Sequence, residues 1–152
     1  GMPVWGKLRD LASQFLNLNT AVVASTYCNS WIFDNLDPDD PFQGMARAYC
    51  NLFICRSEDA KEKYLEQMAA KYQIDGIIYH DCKTCPNNSN CRYGMPQRLE
   101  HLTGIPSLTL NGDLNDLRMI SDEQTKTNVE AFIEQLQEKV EYLGVCLLDF
   151  IQ

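Results

Sequence analysis

Apolar positions along this chain follow two different periods. Between Lys7 and Leu18, Leu8, Leu11, Ala12, Phe15 and Leu16 recur at helical spacing, which predicts an amphipathic helix ended by Asn17 and Asn19. The run Thr20 to Ser25 (TAVVAS) is short and β-branched, and predicts a strand buried on both faces, as in a parallel sheet. From Thr26 to Phe42 no period holds, and the stretch is expected to be a loop. Asp40-Pro41 marks a helix start within it, with the helix reaching about Phe53. Ser57 is an N-cap followed by Glu58 and Asp59, ahead of a face made of Tyr64, Leu65, Met68, Ala69 and Tyr72. Gln73-Ile74-Asp75 then turns into the apolar strand Ile77-Ile78-Tyr79.

Beyond a polar, cysteine-bearing loop, Met95 to Leu102 predicts a helix that stops at Thr103-Gly104. Pro106 to Leu110 is a third strand, ending in Asn111-Gly112-Asp113. Ser121 caps a last helix expected to run to Leu143, with Val129, Phe132, Ile133, Leu136, Val140 and Leu143 as its stripe and Gly144 as its stop. Val145 to Ile151 is left as a closing strand or a docked tail. Helices alternating with strands over short links predict the α/β class: one domain over 1–152 with a small parallel sheet flanked by helices.

Composition narrows the function. A net charge of −8 argues against a nucleic-acid partner, which calls for a basic face. No run approaches the roughly 18–20 apolar residues that span a bilayer, so no membrane role is expected. The opening GMPVWGKLRD is turn-like at Met2 to Gly6 and lacks the pattern of a secretory leader, so the cytoplasm is the expected location. Neither GxGxxG nor GxxxxGK[ST] occurs, and phosphate cradles of those kinds are not indicated.

The seven cysteines are an odd count, unlike a secreted disulfide framework. Cys28, Cys50, Cys55 and Cys146 lie beside apolar residues and are expected to be buried small hydrophobes. Cys82, Cys85 and Cys91 differ, because polar turn residues surround them within DGIIYHDCKTCPNNSNCRYGMP, just past the central strand. Ligands of open α/β sheets collect beyond such carboxyl ends. Three readings of this loop stay open on spacing alone. The thiols are incidental; or Cys82-x2-Cys85, with His80 and Cys91, holds zinc; or one or more of them ligate an iron–sulfur cluster. A redox dithiol is a variant of the second, without the immediately following helix that lowers a thiolate pKa.

The stretches GMPVWGKL, VVAST, DPDDPFQGMARAY, DGIIYH, KTCPNNSNCRYGMPQRLE, TGIPSLTLNGDLNDLR and SDEQTKTNVEAFIEQL resemble, in order and over nearly the whole chain, the C-terminal domain of the 2-hydroxyacyl-CoA dehydratase family. That family includes 2-hydroxyglutaryl-CoA dehydratase and benzoyl-CoA reductase subunits. The resemblance implies a Rossmann-like C-terminal lobe of a longer subunit in an anaerobic lyase. It implies a 4Fe-4S cluster held by three cysteines, two from earlier lobes and one from the strand-end motif that Lys83-Thr84-Cys85-Pro86 resembles. Cys85 is therefore the expected cluster ligand, whereas Cys82 and Cys91 lie outside the family pattern and are weaker candidates for metal. The implied reaction is radical dehydration of a (R)-2-hydroxyacyl-CoA to an enoyl-CoA. The implied partners are the acyl-CoA thioester, a related dehydratase subunit and an ATP-dependent activator protein. A benzoyl-CoA reductase-like lobe, or a non-catalytic scaffold or zinc-binding lobe, is the alternative. Cys28 has no context that would make it a substitute ligand, and the chain alone is expected to be inactive.

Smaller expectations concern charged groups. Asp34, Asp37, Asp39 and Asp40 are expected to be a solvated turn rather than a cation site. Arg92, Tyr93 and Asn87 to Asn90 line a substrate or subunit face or simply form the turn. Asp113 and Asp116 are expected to cap and to be solvated, and Glu130 and Glu134 to lie on a solvated helix face.

Overall fold

The structure is a computed structural model that describes residues 5–32, 36–85, 89–138 and 143–148. Met2 to Val4 of the opening turn, Asp34, Pro86, Asn87, Asn88, Val140 and residues 149–151 lie outside the described residues, as do the side chains of Leu143 and Cys146.

Four parallel strands form the sheet, in the order β1-β4-β2-β3. They are β1 (Thr20–Ala24), β2 (Gly76–Cys82), β3 (Ser107–Gly112) and β4 (Leu143–Leu148). The chain is thus a small Rossmann-like α/β unit: the alternation predicts the α/β class, and the family resemblance implies the Rossmann-like lobe. The position of β4 is a correction: the last helix stops at Gln137, and Leu143 and Gly144 pair with β1 instead of ending a helix. LGVCLL offers no polar face for a surface helix, and a continuous apolar run of this length suits a strand flanked on both sides. It inserts between β1 and β2, with Val22 opposite Val145 and Ile77 opposite Cys146.

That insertion leaves β1 at the edge. Ala21 and Val23 are exposed, so the expectation of burial on both faces fails for this strand. The central β2 meets that expectation and is longer than its apolar triplet, running on through His80 and Asp81 to Cys82.

Two helical layers cover the sheet. α1 (Leu8–Asn17) and α6 (Asp122–Gln137) bring Leu11, Phe15, Val129, Phe132, Ile133 and Leu136 against Ile78 and Leu110. Leu16 and Ala12, expected in the α1 stripe, face solvent. On the other face α4 (Glu58–Tyr72) and α5 (Met95–Thr103) bury Leu65, Met68, Ala69, Met95 and Leu99 against Ala24, Ile77 and Tyr79. Alternation along β2 sends Ile77 and Tyr79 to one layer and Ile78 to the other. The caps are those the sequence predicts: Ser57 and Ser121 accept from the third amide onward, and Gly104 (φ 72°) closes α5 through its N–H to the Glu100 carbonyl.

The stretch expected to be a loop after β1 holds a short helix, α2 (Thr26–Ser30), and α3 (Pro41–Cys50) follows with Asp40 accepting from Gln43 N–H at 3.2 Å. Asp37 and Asp39 are exposed, and Asp37 accepts from the Asp39 amide, as a solvated turn would. Of α3 only Gly44 is buried. Cys28, Cys50 and Cys55 consequently lie exposed, against the expectation of burial. Their neighbours are apolar in sequence, but Cys50 lies on a helix that buries only Gly44, and Cys28 and Cys55 lie on short turns of helix with few buried residues.

Candidate functional site at the ends of β2 and β3

β2 and β3 pair in register to their last residues, Cys82 opposite Gly112. From there the chain leaves β2 toward α5 on one face and β3 toward α6 on the other. Adjacent parallel strands whose exits diverge in this way open a crevice at their carboxyl ends, the customary ligand position in such sheets.

Asp113, the first residue past β3, is only 4% exposed. Its Oδ2 accepts from Thr84 N–H at 3.1 Å and from Thr84 Oγ1 at 2.5 Å, and lies 3.9 Å from the Cys82 thiol. Its Oδ1 accepts from the amides of Asn115 and Asp116 at 3.3 and 3.4 Å. The Thr84 hydroxyl above all, then the backbone amides, hold its carboxyl at about 2, although burial works the other way. One carboxylate therefore ties the loop after β2 to the loop after β3. Capping was the sequence expectation for Asp113 and is found; solvation is not, because the residue is buried. Asp116 caps the next turn through Arg118 N–H.

The loop itself is held from three further sides. Lys83 N–H donates to the Gly112 carbonyl at 3.1 Å and Cys85 N–H to the Cys82 carbonyl at 3.3 Å. Ser89, 3% exposed, turns its hydroxyl to the carbonyls of Cys82 (2.8 Å) and Cys85 (3.1 Å). Asp81 receives Lys83 Nζ at 2.5 Å and Arg92 Nε at 3.1 Å. Burial raises the Asp81 pKa, and the hydrogen bonds from Lys83 and Arg92 outweigh it, leaving the carboxyl below its usual value. Arg92 is thus engaged in the turn, whereas Tyr93, in a left-handed conformation (φ 58°), is exposed.

The three thiols of this region occupy three environments. Cys82 is fully buried at the strand end. Cys85 is a half-buried free thiol on the pinned loop. Cys91 is also half-buried, and burial first, then the Asp81 charge, pushes its thiol up. His80 lies within β2 rather than at its end, 1% exposed. Among the described residues, no three His, Cys, Asp or Glu side chains gather to hold a metal ion, so His80, Cys82, Cys85 and Cys91 form no four-ligand set. Cys85 is half-buried, and its own carbonyl and that of Cys82 both accept from the Ser89 hydroxyl. Sequence reasoning missed Asp81 and the depth of Asp113, whose only sign is that polar residues sit at strand ends; Ser89, within the Asn87 to Asn90 stretch, takes the turn-forming part of that expectation.

The model of the family described as 2-hydroxyglutaryl-CoA dehydratase, D-component, matches residues 1–136. The chain belongs to this family. It is 27% identical over 137 residues to the lactoyl-CoA dehydratase subunit alpha of Anaerotignum propionicum, covering 90% of this chain and 32% of that protein. It is also 27% identical over 143 residues to a benzoyl-CoA reductase subunit of Thauera aromatica, covering 91% and 33%. With the (R)-2-hydroxyglutaryl-CoA dehydratase subunit alpha of Acidaminococcus fermentans it shares 26% over 148 residues, 95% and 29% of the two chains. This dehydratase-family chain spans about a third of the length of these curated relatives. No solved structure gives a significant match. Among the described residues no helix is long and apolar enough to cross a membrane.

Proposed function

We propose that this chain acts as the C-terminal α/β lobe of a cytoplasmic 2-hydroxyacyl-CoA dehydratase subunit, and that Cys85 supplies one thiolate to a 4Fe-4S cluster. The carrying observation is the placement of Cys85: a half-buried thiol just past the carboxyl end of β2, beside Thr84 tied to Asp113 and with its carbonyl bonded by Ser89, in a chain of this family. Such a cluster, when bound, supplies electron transfer and a Lewis-acidic iron to the radical dehydration of a (R)-2-hydroxyacyl-CoA to an enoyl-CoA. The chain's own contribution is to orient and shield. Asp113, Thr84 and Ser89 hold the loop so that Cys85 meets its partner without reorganisation, and fixed ligand geometry of this kind tunes a metal centre. A related dehydratase subunit, an ATP-dependent activator protein and the acyl-CoA thioester complete the system.

Ring reduction is the second reading, favoured by the equal 27% identity to the benzoyl-CoA reductase subunit. The lobe would present the same thiolate in either case.

The test is iron and acid-labile sulfide content of the protein purified without oxygen, with the subunits that co-purify, as wild type and as Cys85→Ser, Cys82→Ser and Cys91→Ser. Cluster loading lost or strongly reduced in Cys85→Ser alone is the expected result. Equal loading in wild type and Cys85→Ser removes the assignment. Absence of iron from every folded form leaves a scaffold role instead.

A further inference from the structure

On the α4 face, away from the cysteine loop, a cleft of about 870 Å³ opens between α2, α3 and α4. Its size falls within the range of small-molecule sites. Its charge is unlike that of the molecule. The chain carries a net −8, yet three cations, Arg47, Arg56 and Lys71, line this cleft, and among the described residues no carboxylate does. A second cleft, of about 500 Å³ between α1 and α6, is lined by Asp10, Asp122, Glu123 and Glu130 beside two lysines. The separation of sign is therefore a property of the α3–α4 cleft, not of clefts in general.

Two of the cations are held by the wall rather than by acids. Arg56 donates from Nε to the Asn51 carbonyl at 2.8 Å and lies over the Tyr64 ring, 5.7 Å from its centre. Lys71 lies over the Tyr72 ring at 5.3 Å. Behind the floor, the buried Lys61 rests over the ring of Phe53, a lining residue, at 5.6 Å. Aromatic faces fix a cation without neutralising it, so its charge stays available to an anion. The wall is in turn tied to the sheet: Tyr72 accepts from Asn29 Nδ2 at 3.1 Å, and Asn29 Oδ1 accepts from Ser25 N–H, just past β1, at 3.1 Å. The cleft thus opens beside a strand carboxyl end, where α/β sheets place ligands.

We infer that this cleft binds the phosphates of a nucleotide-type anion, with Arg47, Arg56 and Lys71 as phosphate partners. Three cations lining one cleft suit a ligand with several phosphate groups better than a single carboxylate, and the side-chain amides of Asn51 and Gln67 offer hydrogen bonds to a base. Coenzyme A carries such phosphates; that it is the source rests on the acyl-CoA reading above, whereas anion binding does not.

The experiment is calorimetric titration of the purified protein, at fixed ionic strength, with coenzyme A, ATP and inorganic phosphate. The variants are Arg47→Gln, Lys71→Gln, their combination, and Arg118→Gln as a control cation outside the cleft. Arg47 and Lys71 are exposed, so folding should survive, and thermal melting checks it. The expected result is saturable binding of coenzyme A, weakened about tenfold by each single substitution and about fiftyfold or more by both, with Arg118→Gln unchanged. No saturable binding of any anion, or equal weakening by Arg118→Gln, overturns the site. Tighter binding of ATP than of coenzyme A overturns the coenzyme A source. Phosphate as tight as coenzyme A overturns the nucleotide class. Cluster loading is independent of all these outcomes, so the two readings fail separately.

Discussion

Asp113 Oδ2 takes both the amide and the hydroxyl of Thr84, two residues past a buried strand and one residue before the candidate ligand Cys85. Its carboxyl is held at about 2, below its ordinary value of 3.8. A depressed carboxyl stabilises the fold above the unfolded pKa, and that contribution fades as pH falls through the folded one. Wild type is therefore expected to lose stability between about pH 4 and 2 more steeply than Asp113→Asn. At neutral pH the variant should melt lower, and the Thr84 and Asn115 amides should exchange faster. Urea midpoints across this pH range, with hydrogen exchange at pH 7, check it. Parallel pH curves for the two proteins would show that the Thr84 tie contributes nothing.

Glycine is required at two places for different reasons. A Cβ on Gly76 would lie 2.5 Å from Leu136 Cδ1 and 3.1 Å from Phe132 Cζ, inside the core. Gly76→Ala should cost about 1–3 kcal/mol by overpacking, and that cost should be smaller when measured in a Leu136→Ala background, although Leu136→Ala is itself destabilising. At Gly104 a Cβ meets nothing within 4 Å, but φ is 72°, so Gly104→Ala should cost about 1 kcal/mol through the backbone alone. No change at Leu136 should relieve it. Denaturant unfolding of the four variants separates the two causes.

Leu99 and Leu102 share α5 but not a face: the first is fully buried, the second 59% exposed. Leu99→Ala should destabilise by about 2–5 kcal/mol, and Leu102→Ala by no more than about 0.5 kcal/mol. Similar values for both would mean that α5 docks through a different face.

Thiol reactivity should rank the cysteines. Alkylation needs the thiolate and access, so exposed Cys28, Cys50 and Cys55 should label first. Cys82 should label only on unfolding. Cys91 should lag at pH 8 and catch up as pH rises, because burial and Asp81 hold its thiol up. Time-resolved labelling read by peptide mass spectrometry tests the order; early labelling of Cys82 would contradict its burial.

Much of this was legible in the sequence. Ser57, Asp40, Ser121 and Gly104 announce helix ends because caps are local chemistry, decided within four residues. Ile77 to Tyr79 announces a central strand, since only a strand covered on both faces tolerates an unbroken apolar run. The order of motifs indicated the family, and the family match bears this out.

What periodicity could not decide is which strand neighbours which. The run from Val145 is open to being a closing strand, but its place between β1 and β2, and the inclusion of Leu143 and Gly144 in it, are set by the sheet. By taking that place it also moves β1 to the edge. The candidate site depends on the same kind of non-local choice. Asp113 and Thr84 stand 29 positions apart, and only the parallel register of β2 with β3 brings carboxylate, hydroxyl and thiol together. Local sequence determines which segments are helices and strands, because capping and solvent exposure act over a few residues. Partners distant along the chain were selected by the packing of the whole sheet, whose energy no single segment carries.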